Sequence, residues 1–354
     1  MKTIVDHDWS DNARAEVQAF LDATPAACYL QQPDWPDLLP PSRRFRHMFL
    51  RVYQGGELCG TAVARLSPIM AGYRLAFLRR GPVVQSPNDL ASVTRAVANA
   101  LRQHRVASLV LNPRWGGAER ARAIEALEGA DARMLPQNEQ SLHSATLLVD
   151  LEGGPDAILA RMKQRGRRQI RQAEKMGLEV HEISSEEEAE ALTPLVDGFY
   201  TARGLGRENL PAMAQQFQMT RRRGAILAGT LDGRPICAHT MIPDGDRAFW
   251  LMMAARDEPE KLPKNYLLIW HALRIAAAQG FRVYDMGGAP SMYLHDQNAA
   301  AGMAARNQFK TAFAPRQEEL TPMMVLPVIP VAHALLFNAR RGLRTLKRRA
   351  GDKA

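Results

Sequence analysis

Cysteine is scarce in this sequence, and long apolar runs are missing from it. The three cysteines, Cys28, Cys59 and Cys237, lie far apart, form no CxxC pair and have no histidine pair beside them. This pattern argues against a disulfide scaffold and a zinc site, and it favours a reducing cytoplasm. Nowhere do about 18 apolar residues follow one another, and charges recur every few positions at the start, so we expect neither a transmembrane helix nor a signal peptide.

Low-complexity segments are also missing, since 25 glycines and 22 prolines are scattered along the chain, which excludes collagen and wholesale disorder.

The length of the chain and its excess of positive charge are the informative features of its composition. At roughly 100 to 200 residues per domain, 354 residues predict two domains. Lysine and arginine total 46 against 37 acidic residues, a net charge of +9. Such a balance favours a nucleic acid, a nucleotide phosphate or an anionic membrane as partner, although many basic proteins bind none of these.

The same order of elements is predicted twice. In the first half, alternation over 45–66 predicts a hairpin around Gly56, followed by a strand, an amphipathic helix and a further strand. In the second half, 224–242 predicts a hairpin around Gly233, and strand, helix and strand follow again. The hairpin glycines are 177 residues apart, and the last strands of the two halves are offset by 176. These offsets indicate a duplicated domain.

An antiparallel meander followed by a helix and a strand is the central order of the acyltransferase fold of acetyl-CoA-dependent N-acetyltransferases, the GNAT fold. We therefore predict an α/β protein with mixed sheets in two tandem GNAT-like acyltransferase domains. We expect the domains at 1–150 and 151–330, with a basic amphipathic tail at 331–354. The join lies where the strand-like ATLLVDL runs into a Gly-Gly-Pro turn at 153–155.

A set of motifs runs through most of the chain in a fixed order and spacing. They are Gln32-Pro33-Asp34-Trp35, Arg80-Gly81-Pro82, ATLLVDL at 145–151, MKQRGRRQIRQAEKMGLEV at 162–180, NYLLIWHALRIAAAQGFRVYDMGG at 265–288, and Gln308-Phe309-Lys310. Together they resemble the Fem family of peptidyltransferases, which move an amino acid from aminoacyl-tRNA to the stem peptide of a peptidoglycan precursor. The tandem acyltransferase fold that this resemblance implies agrees with the repeat.

The resemblance makes Lys310, preceded by Phe309, the first candidate for a catalytic residue. When an acceptor amine attacks the ester of aminoacyl-tRNA, negative charge develops on oxygen, and a cation in a partly dry site stabilises it. The alternative for Lys310 is a snorkelling side chain at a helix end. Asp285 is the other catalytic candidate, because it can orient the amine or a base, and its alternative is to cap the following turn.

Four residues are candidates for substrate binding. Gly287 and Gly288 end a predicted strand and let a substrate approach the backbone closely. Arg80 belongs to the Arg-Gly-Pro motif. The resemblance also implies an arginine that contacts the phosphates of the acceptor, and Arg207 occupies that stretch. Arg203 is the competing assignment, and either arginine can instead be a solvated loop charge.

Seven basic residues and one acid, Glu174, occupy 161–175 on a predicted helix that ends at Gly177. Within it, Arg165, Arg167, Arg168 and Arg171 are the candidate tRNA-binding residues, and a merely solvated helix is the alternative. The apolar start and six basic residues of the tail suit an anionic membrane face, or equally a helix packed on the domain with a frayed end.

The sequence also departs from the family. Asn112-Pro113 stands where members often have Asp-Pro, and an amide cannot accept a proton. No lysine follows Trp35 closely, so the acceptor headgroup can differ. The phosphate-binding pattern of acyl-CoA enzymes, Arg/Gln-x-x-Gly-x-Gly/Ala, is missing at Gln164–Arg168.

We therefore expect a cytoplasmic enzyme, with a peripheral position at the inner membrane face as an option. The reaction is transfer of an amino acid from aminoacyl-tRNA, a co-substrate, to an amine of a peptide acceptor, with no other cofactor and no metal. An acyl-CoA- or acyl-carrier-dependent N-acyltransferase of envelope polysaccharide or small-amide synthesis is the alternative. The sequence leaves open the amino acid, the acceptor, the general base and the oligomeric state.

Overall fold

The computed structural model describes residues 1–7, 9–39, 42, 44–140, 144–206, 210–256, 262–289 and 308–336. The strands are β1 Lys2–Asp6, β2 Arg46–Gln54, β3 Glu57–Pro68, β4 Arg74–Arg80, β5 Val83–Val84, β6 Val106–Pro113, β7 Arg133–Met134, β8 Ala145–Asp150, β9 Glu179–Glu182, β10 Ala225–Leu231, β11 Arg234–Asp244, β12 Arg247–Ala255, β13 Val283–Ala289, β14 Arg316–Glu319 and β15 Met324–Pro327. The helices are α1 Asp11–Asp22, α2 Leu90–Arg102, α3 Glu119–Gly129, α4 Gly154–Arg161, α5 Gln164–Lys175, α6 Glu186–Ala191, α7 Thr193–Ala202, α8 Met213–Thr220 and α9 Lys264–Ala278.

These elements form two compact units, each with its own mixed sheet. The first unit contains Met1–Pro33, Ser42–Glu139 and Thr321–Ala354, and the second contains Asp34–Pro41 and Gln140–Leu320. The strand order is β1-β2-β3-β4-β6-β15-β7 in the first sheet, with β5 beside β3, and β14-β8-β13-β12-β11-β10-β9 in the second. The pairs β4–β6 and β12–β13 are parallel. The predicted α/β class with mixed sheets is confirmed.

The predicted repeat is present in both sheets. Hairpin β2–β3 turns at Gly55-Gly56 and hairpin β10–β11 turns at Asp232-Gly233, where Gly56 and Gly233 have φ of 93° and 74°. Glycine adopts such left-handed values without the steric penalty of a side chain. In chain order, α2 lies between the parallel strands β4 and β6, and α9 lies between the parallel strands β12 and β13. Parallel neighbouring strands need such a crossover connection.

The chain exchanges one strand between the two sheets in each direction. Strand β8, which we expected at the end of the first domain, pairs with β13 and β14 in the second sheet. Strand β15 pairs with β6 and β7 in the first sheet. The units therefore differ from the boundaries expected at 150 and 330, because a local pattern shows that a segment is a strand but not which sheet it joins.

Each unit has its own apolar core. In the first unit, α2 buries the side chains expected from its periodicity, Leu90, Val93, Val97 and Leu101, each 0% exposed. In the second unit, α5 and α9 pack on one face of the sheet and α6 to α8 on the other. Within the described residues, no helix combines the length and apolar character needed to cross a membrane.

Candidate functional site

The second sheet opens between its two parallel strands. Pairing of β12 with β13 covers only Arg247–Phe249 and Val283–Asp285, although β12 continues to Ala255 and β13 to Ala289. In the first sheet the equivalent pair, β4 with β6, stays paired from Arg74–Arg80 to Val106–Pro113, with one register shift between Arg74 and Leu75. Where strands diverge, their peptide groups and side chains can receive a ligand. Among the described residues, the second unit therefore has an opening between its parallel strands that the pair β4–β6 does not have.

Lys310 lies at this opening and contacts both strands. Its Nζ donates a hydrogen bond to the carbonyl of Met286 on β13 at 2.8 Å. The same ammonium lies 5.1 Å from the ring centroid of Trp250 on β12, within the range of a cation–π interaction. The side chain is partly buried. The structure therefore places the predicted cation where the strands separate.

Aromatic packing holds the turn that carries Lys310. Phe309 lies 5.9 Å from Trp250 and 6.0 Å from Tyr266, measured between ring centroids. Phe313, at the end of the 3-10 turn Lys310–Phe313, stacks on Tyr266 at 6.1 Å. Because Tyr266 belongs to α9, the turn is fixed between this helix and β12. Trp250 and Tyr266 complete the site. Trp250 belongs to no sequence motif, and Tyr266 lies in the 265–288 motif but was not among the candidate site residues.

The start of α5 clamps the same turn from its other side. Arg165 donates to the carbonyl of Gln308 at 2.7 Å. The backbone N–H of Lys163 donates to the carbonyl of Ala312 at 2.9 Å. A Cβ on Gly166 would lie 3.0 Å from that carbonyl oxygen, so only glycine lets the helix approach this closely.

Gly166→Ala is therefore expected to push the Lys310 turn away by a few tenths of an ångström. We expect turnover to fall about tenfold, because misplacement of 1 Å can lower a rate about 100-fold. The control is Gly129→Ala at the end of α3, where a Cβ meets nothing within 4 Å. Unfolding temperature should change little in both variants, and equal turnover for Gly166→Ala and wild type would contradict the clamp.

A buried pair of polar rings supports β11 and β13 under the site. Nδ1 of His239 lies 2.8 Å from the carbonyl of Met252, so this nitrogen carries the proton, and Nε2 accepts from the Tyr284 hydroxyl. Burial lowers the pKa of His239 to about 3, which keeps the ring neutral. Burial and Asp285 raise the pKa of Tyr284 above its usual value. His239 is thus a buried core histidine with a hydrogen-bond partner for each ring nitrogen.

Asp285 points to the opposite face of β13 from Tyr284 and Met286, which belong to the core under α9. Its Oδ1 accepts from the Thr146 hydroxyl and, at 2.8 Å, from the backbone N–H of Gly287. Burial raises the pKa of the Asp285 carboxyl, against the opposing effects of these hydrogen bonds and of Arg247. The carboxyl therefore fixes the bend at Gly287.

Two further substrate-binding candidates lie at that bend. Gly287 has φ +75° and open space where a Cβ would stand. Both Gly287 and Gly288 are partly exposed. Their backbone lies next to the Met286 carbonyl that Lys310 contacts. Lys310 and the two glycines are therefore brought together, with Asp285 behind them.

Arg80 lies in the first unit. Its backbone has φ +60°, and its N–H donates to Oδ1 of Asn112 at 3.1 Å. Asparagine and aspartate both offer this acceptor, so Asn112 can support the backbone there without any proton transfer. The Arg-Gly-Pro motif thus has a structural role next to the end of β6.

The four basic candidates on α5 occupy different environments. Besides Arg165 at the Lys310 turn, Arg167 donates to the carbonyls of Leu159, Ala160 and Met162 at the end of α4. Arg168 and Arg171 are exposed, and they have no hydrogen bond or ion pair within the described ranges. The outward charge of α5 therefore comes from Arg168 and Arg171.

Arg207 and the basic residues of the tail, 340–349, lie outside the described residues. The competing candidate, Arg203, lines a cleft of about 320 Å³ between α7 and the end of β12. Its guanidinium lies 3.9 Å from the ring centroid of Phe199. Arg256 lines the same cleft, and Leu195 forms part of the apolar wall of the cleft. Sequence patterns did not indicate this cleft. Apolar walls with two guanidinium groups suit a ligand that is both apolar and anionic.

Comparison with known proteins agrees with this architecture. Residues 160–295 match the family model described as an acetyltransferase (GNAT) domain. No curated protein matches the sequence. The matched segment runs from the end of α4 past β13 and includes the diverging strands.

Solved structures resemble the whole chain. The crystal structure of FemX has a TM-score of 0.74 at 14% identity, covering 96% of this chain and 99% of that one. The C-terminal domain of a putative lysylphosphatidylglycerol synthetase from Agrobacterium fabrum has a TM-score of 0.58 at 14% identity, covering 92% and 95%. A tandem GNAT protein from the clavulanic acid biosynthesis pathway has a TM-score of 0.52 at 14% identity, covering 92% and 99%. The predicted tandem GNAT architecture is confirmed, and the fold is Fem-like.

Proposed function

We propose that this protein is an aminoacyltransferase that moves an amino acid from aminoacyl-tRNA to an amine of a peptide acceptor, such as a peptidoglycan precursor. The observation that carries the proposal is the position of Lys310 between the diverging strands β12 and β13, on an acyltransferase fold. The similarity to FemX supports the same class of reaction. Because the donor is an aminoacyl-tRNA, the reaction belongs in the cytoplasm.

The chemistry required is aminolysis of an ester. The acceptor amine attacks the carbonyl carbon of the aminoacyl ester, the carbonyl oxygen becomes negative, and the ribose oxygen then departs with a proton. Lys310 supplies positive charge beside these oxygens, in a site walled by Trp250 and Phe309 that strengthens the electrostatic interaction. Asp285 acts indirectly. Its carboxyl accepts a hydrogen bond from the Gly287 N–H and so positions the backbone that meets the substrate.

The cleft beside α7 supports the acceptor half of the proposal. Arg203 is held against Phe199, and Arg256 lies on the same cleft at the end of β12. Guanidinium groups pair with phosphates or carboxylates, and the apolar wall accommodates the rest of a peptide-linked headgroup. The acceptor we propose is therefore an anionic peptide derivative.

The exposed arginines of α5 are proposed to contact the phosphates of the tRNA. Replacing Arg168 and Arg171 together by glutamine should weaken tRNA binding and flatten its salt dependence, by about 0.7 to 0.9 in log–log slope per lost contact. The control is Arg167→Gln, which removes the cap on α4 and should leave the slope unchanged. If the double variant keeps the wild-type slope, tRNA binds elsewhere.

The direct test of function incubates purified protein with a mixed pool of charged tRNAs and candidate acceptors, and weighs the products by mass. We expect one or more amino acids on an amine of a peptide acceptor. Transfer from acetyl-CoA without use of any charged tRNA would instead select the acyl-CoA-dependent alternative. Turnover of neither donor would contradict an acyltransferase.

A second candidate has a lipid as acceptor. The fold similarity to a putative lysylphosphatidylglycerol synthetase favours it, and so do Val331 and Leu335, which are 72% and 63% exposed on the helical turn at 330–336. One turn apart, these side chains share a face just ahead of the basic tail, as in a helix that lies on an anionic membrane. Including phosphatidylglycerol among the acceptors distinguishes the two, because the product is then an aminoacyl ester of the lipid.

A further inference from the structure

One face of the first sheet carries an arginine set among aromatic rings. Arg65 on β3 lies opposite His47 on β2 and Phe77 on β4. Its guanidinium carbon is 5.0 Å from the ring centroid of Phe45 and 5.4 Å from that of Phe77. Because β2 and β4 flank β3, the two rings approach from opposite sides. They restrict the guanidinium and leave its edge to hydrogen-bond a ligand.

The Arg65 guanidinium has no hydrogen bond and no ion pair in the part of the chain that the structure describes, and its Nε–H is shielded from solvent without an acceptor. Burial lowers the pKa of Arg65, and the charge of Arg79 lowers it further. A partly buried charge without a counterion is unfavourable, and a bound anion relieves it. Arg65 therefore has the surroundings of an anion-binding group with its protein partner missing.

Neighbouring groups define the anion. Arg79 lies two residues beyond Phe77 on the same strand face, and it adds a second, exposed cation. The ring of His47 lies 5.5 Å from that of Phe45, edge to face, on the same side of the sheet. A guanidinium edge pairs with two oxygens at once, and two arginines match a doubly charged tetrahedral phosphate better than a single carboxylate.

We propose that the face formed by Phe45, Arg65, Phe77 and Arg79 binds a phosphoryl group, with the edge of Arg65 as its main contact. The site lies within the first unit and uses none of the residues proposed for aminoacyl transfer. Binding measurements therefore test this proposal independently of the outcome of the transfer assay.

The test measures binding of inorganic phosphate and pyrophosphate by calorimetry to the full chain. Arg65→Met should weaken binding at least tenfold. The matched control is Arg46→Met, which removes the same charge on β2 but from the opposite face, since Arg46 adjoins His47. Equal weakening in both variants, or none in Arg65→Met, would overturn the proposal.

Thermal unfolding gives a second readout. Without phosphate, Arg65→Met should unfold at the wild-type temperature or above it, because an apolar side chain replaces an unpaired charge. Added pyrophosphate should raise the unfolding temperature of wild type and of Arg46→Met, but not of Arg65→Met. If Arg65→Met does not fold, the test uses Arg65→Lys, which keeps the positive charge but lacks the planar guanidinium that can pair with two oxygens. Pyrophosphate binding by Arg65→Lys as tight as that of wild type would overturn the proposal.

The source of the phosphoryl group is resolved with vesicles. Sedimentation with phosphatidylglycerol vesicles, compared with neutral phosphatidylcholine, that depends on Arg65 identifies a lipid headgroup. Binding of pyrophosphate that depends on Arg65 without such sedimentation identifies a soluble phosphorylated ligand. Both results support the site, and no dependence on Arg65 in either arm would refute it.

Discussion

Lys310→Met is expected to lower the turnover of aminoacyl transfer about 100- to 1000-fold, the usual effect of removing a group that stabilises a developing oxyanion. Methionine keeps nearly the length and shape of the side chain and removes only its charge. The lost hydrogen bond to Met286 should lower the free energy of unfolding by about 1 to 2 kcal/mol, too little to unfold the protein. The loss of rate is therefore a loss of transition-state stabilisation.

Kinetic constants separate this role from a structural one. In Lys310→Met we expect kcat to fall while KM for the charged tRNA changes little, because the charge acts mainly in the transition state. Lys310→Arg should recover part of the rate. Lys163→Met is the control, since this exposed lysine contacts the same turn only through its backbone, and its kcat should match wild type. More than about half of the wild-type rate in Lys310→Met would exclude Lys310 from catalysis.

Local patterns were enough to predict the fold class, the repeat and the position of both hairpins. Alternation and turn glycines report on neighbouring residues, and these decide whether a segment becomes a strand or a helix. The exchange of β8 and β15 between sheets depends on pairing between distant segments, about which a single strand pattern says nothing. For the same reason the sequence does not show that the strand at 145–150 pairs with β13 and β14.

The candidate site shows a similar division. Phe309 and Lys310 form a motif in which the lysine has a chemical role, whereas nothing in the sequence marks Trp250 on β12 or Tyr266 on α9 as site residues. Only the folded chain brings these two rings to Lys310 and Phe309. On α5, adjacent arginines point about 100° apart. Arg167 therefore caps α4 while Arg168 faces solvent, a difference that composition does not show.

Arg247→Met is expected to destabilise the second unit by about 3 kcal/mol at neutral pH. The Arg247 guanidinium lies 2.9 Å from Glu318 and 3.7 Å from Asp285, and the side chains of these two acids are only 9% and 6% exposed. Removing one partner of a buried ion pair leaves uncompensated charge and typically costs about 3 to 5 kcal/mol. We take the lower end, because Arg316 still contacts Glu318 at 2.9 Å.

The loss should depend on pH in a defined direction. Burial raises the pKa of Glu318, but Arg247 and Arg316 outweigh it, so the pKa lies below its usual value. This carboxylate therefore stabilises the wild type above its unfolded-state pKa, and the contribution disappears as pH falls through the lowered folded-state pKa. In Arg247→Met, one of the two arginines that lower the pKa of Glu318 is absent, so this pKa rises. The pKa of Asp285, which burial already raises, rises further because Arg247 no longer lowers it. Both acids therefore bind protons at a higher pH in the variant than in the wild type. Their protonation removes the uncompensated buried charge that destabilises Arg247→Met.

The measurement is the difference in free energy of unfolding between wild type and Arg247→Met, by urea denaturation from pH 7 down to about pH 4. We expect the difference to be largest at pH 7 and to shrink steadily towards pH 4. Arg282→Met is the control, because the Arg282–Glu152 pair is just as close, at 2.6 Å, but its side chains are 80% and 58% exposed, so its loss should change stability little at any pH. A difference for Arg247→Met that is constant with pH would mean that packing, and not charge, accounts for the role of Arg247. Because Asp285 also holds the Gly287 N–H, a charge effect would connect this ion network to the backbone beside Lys310.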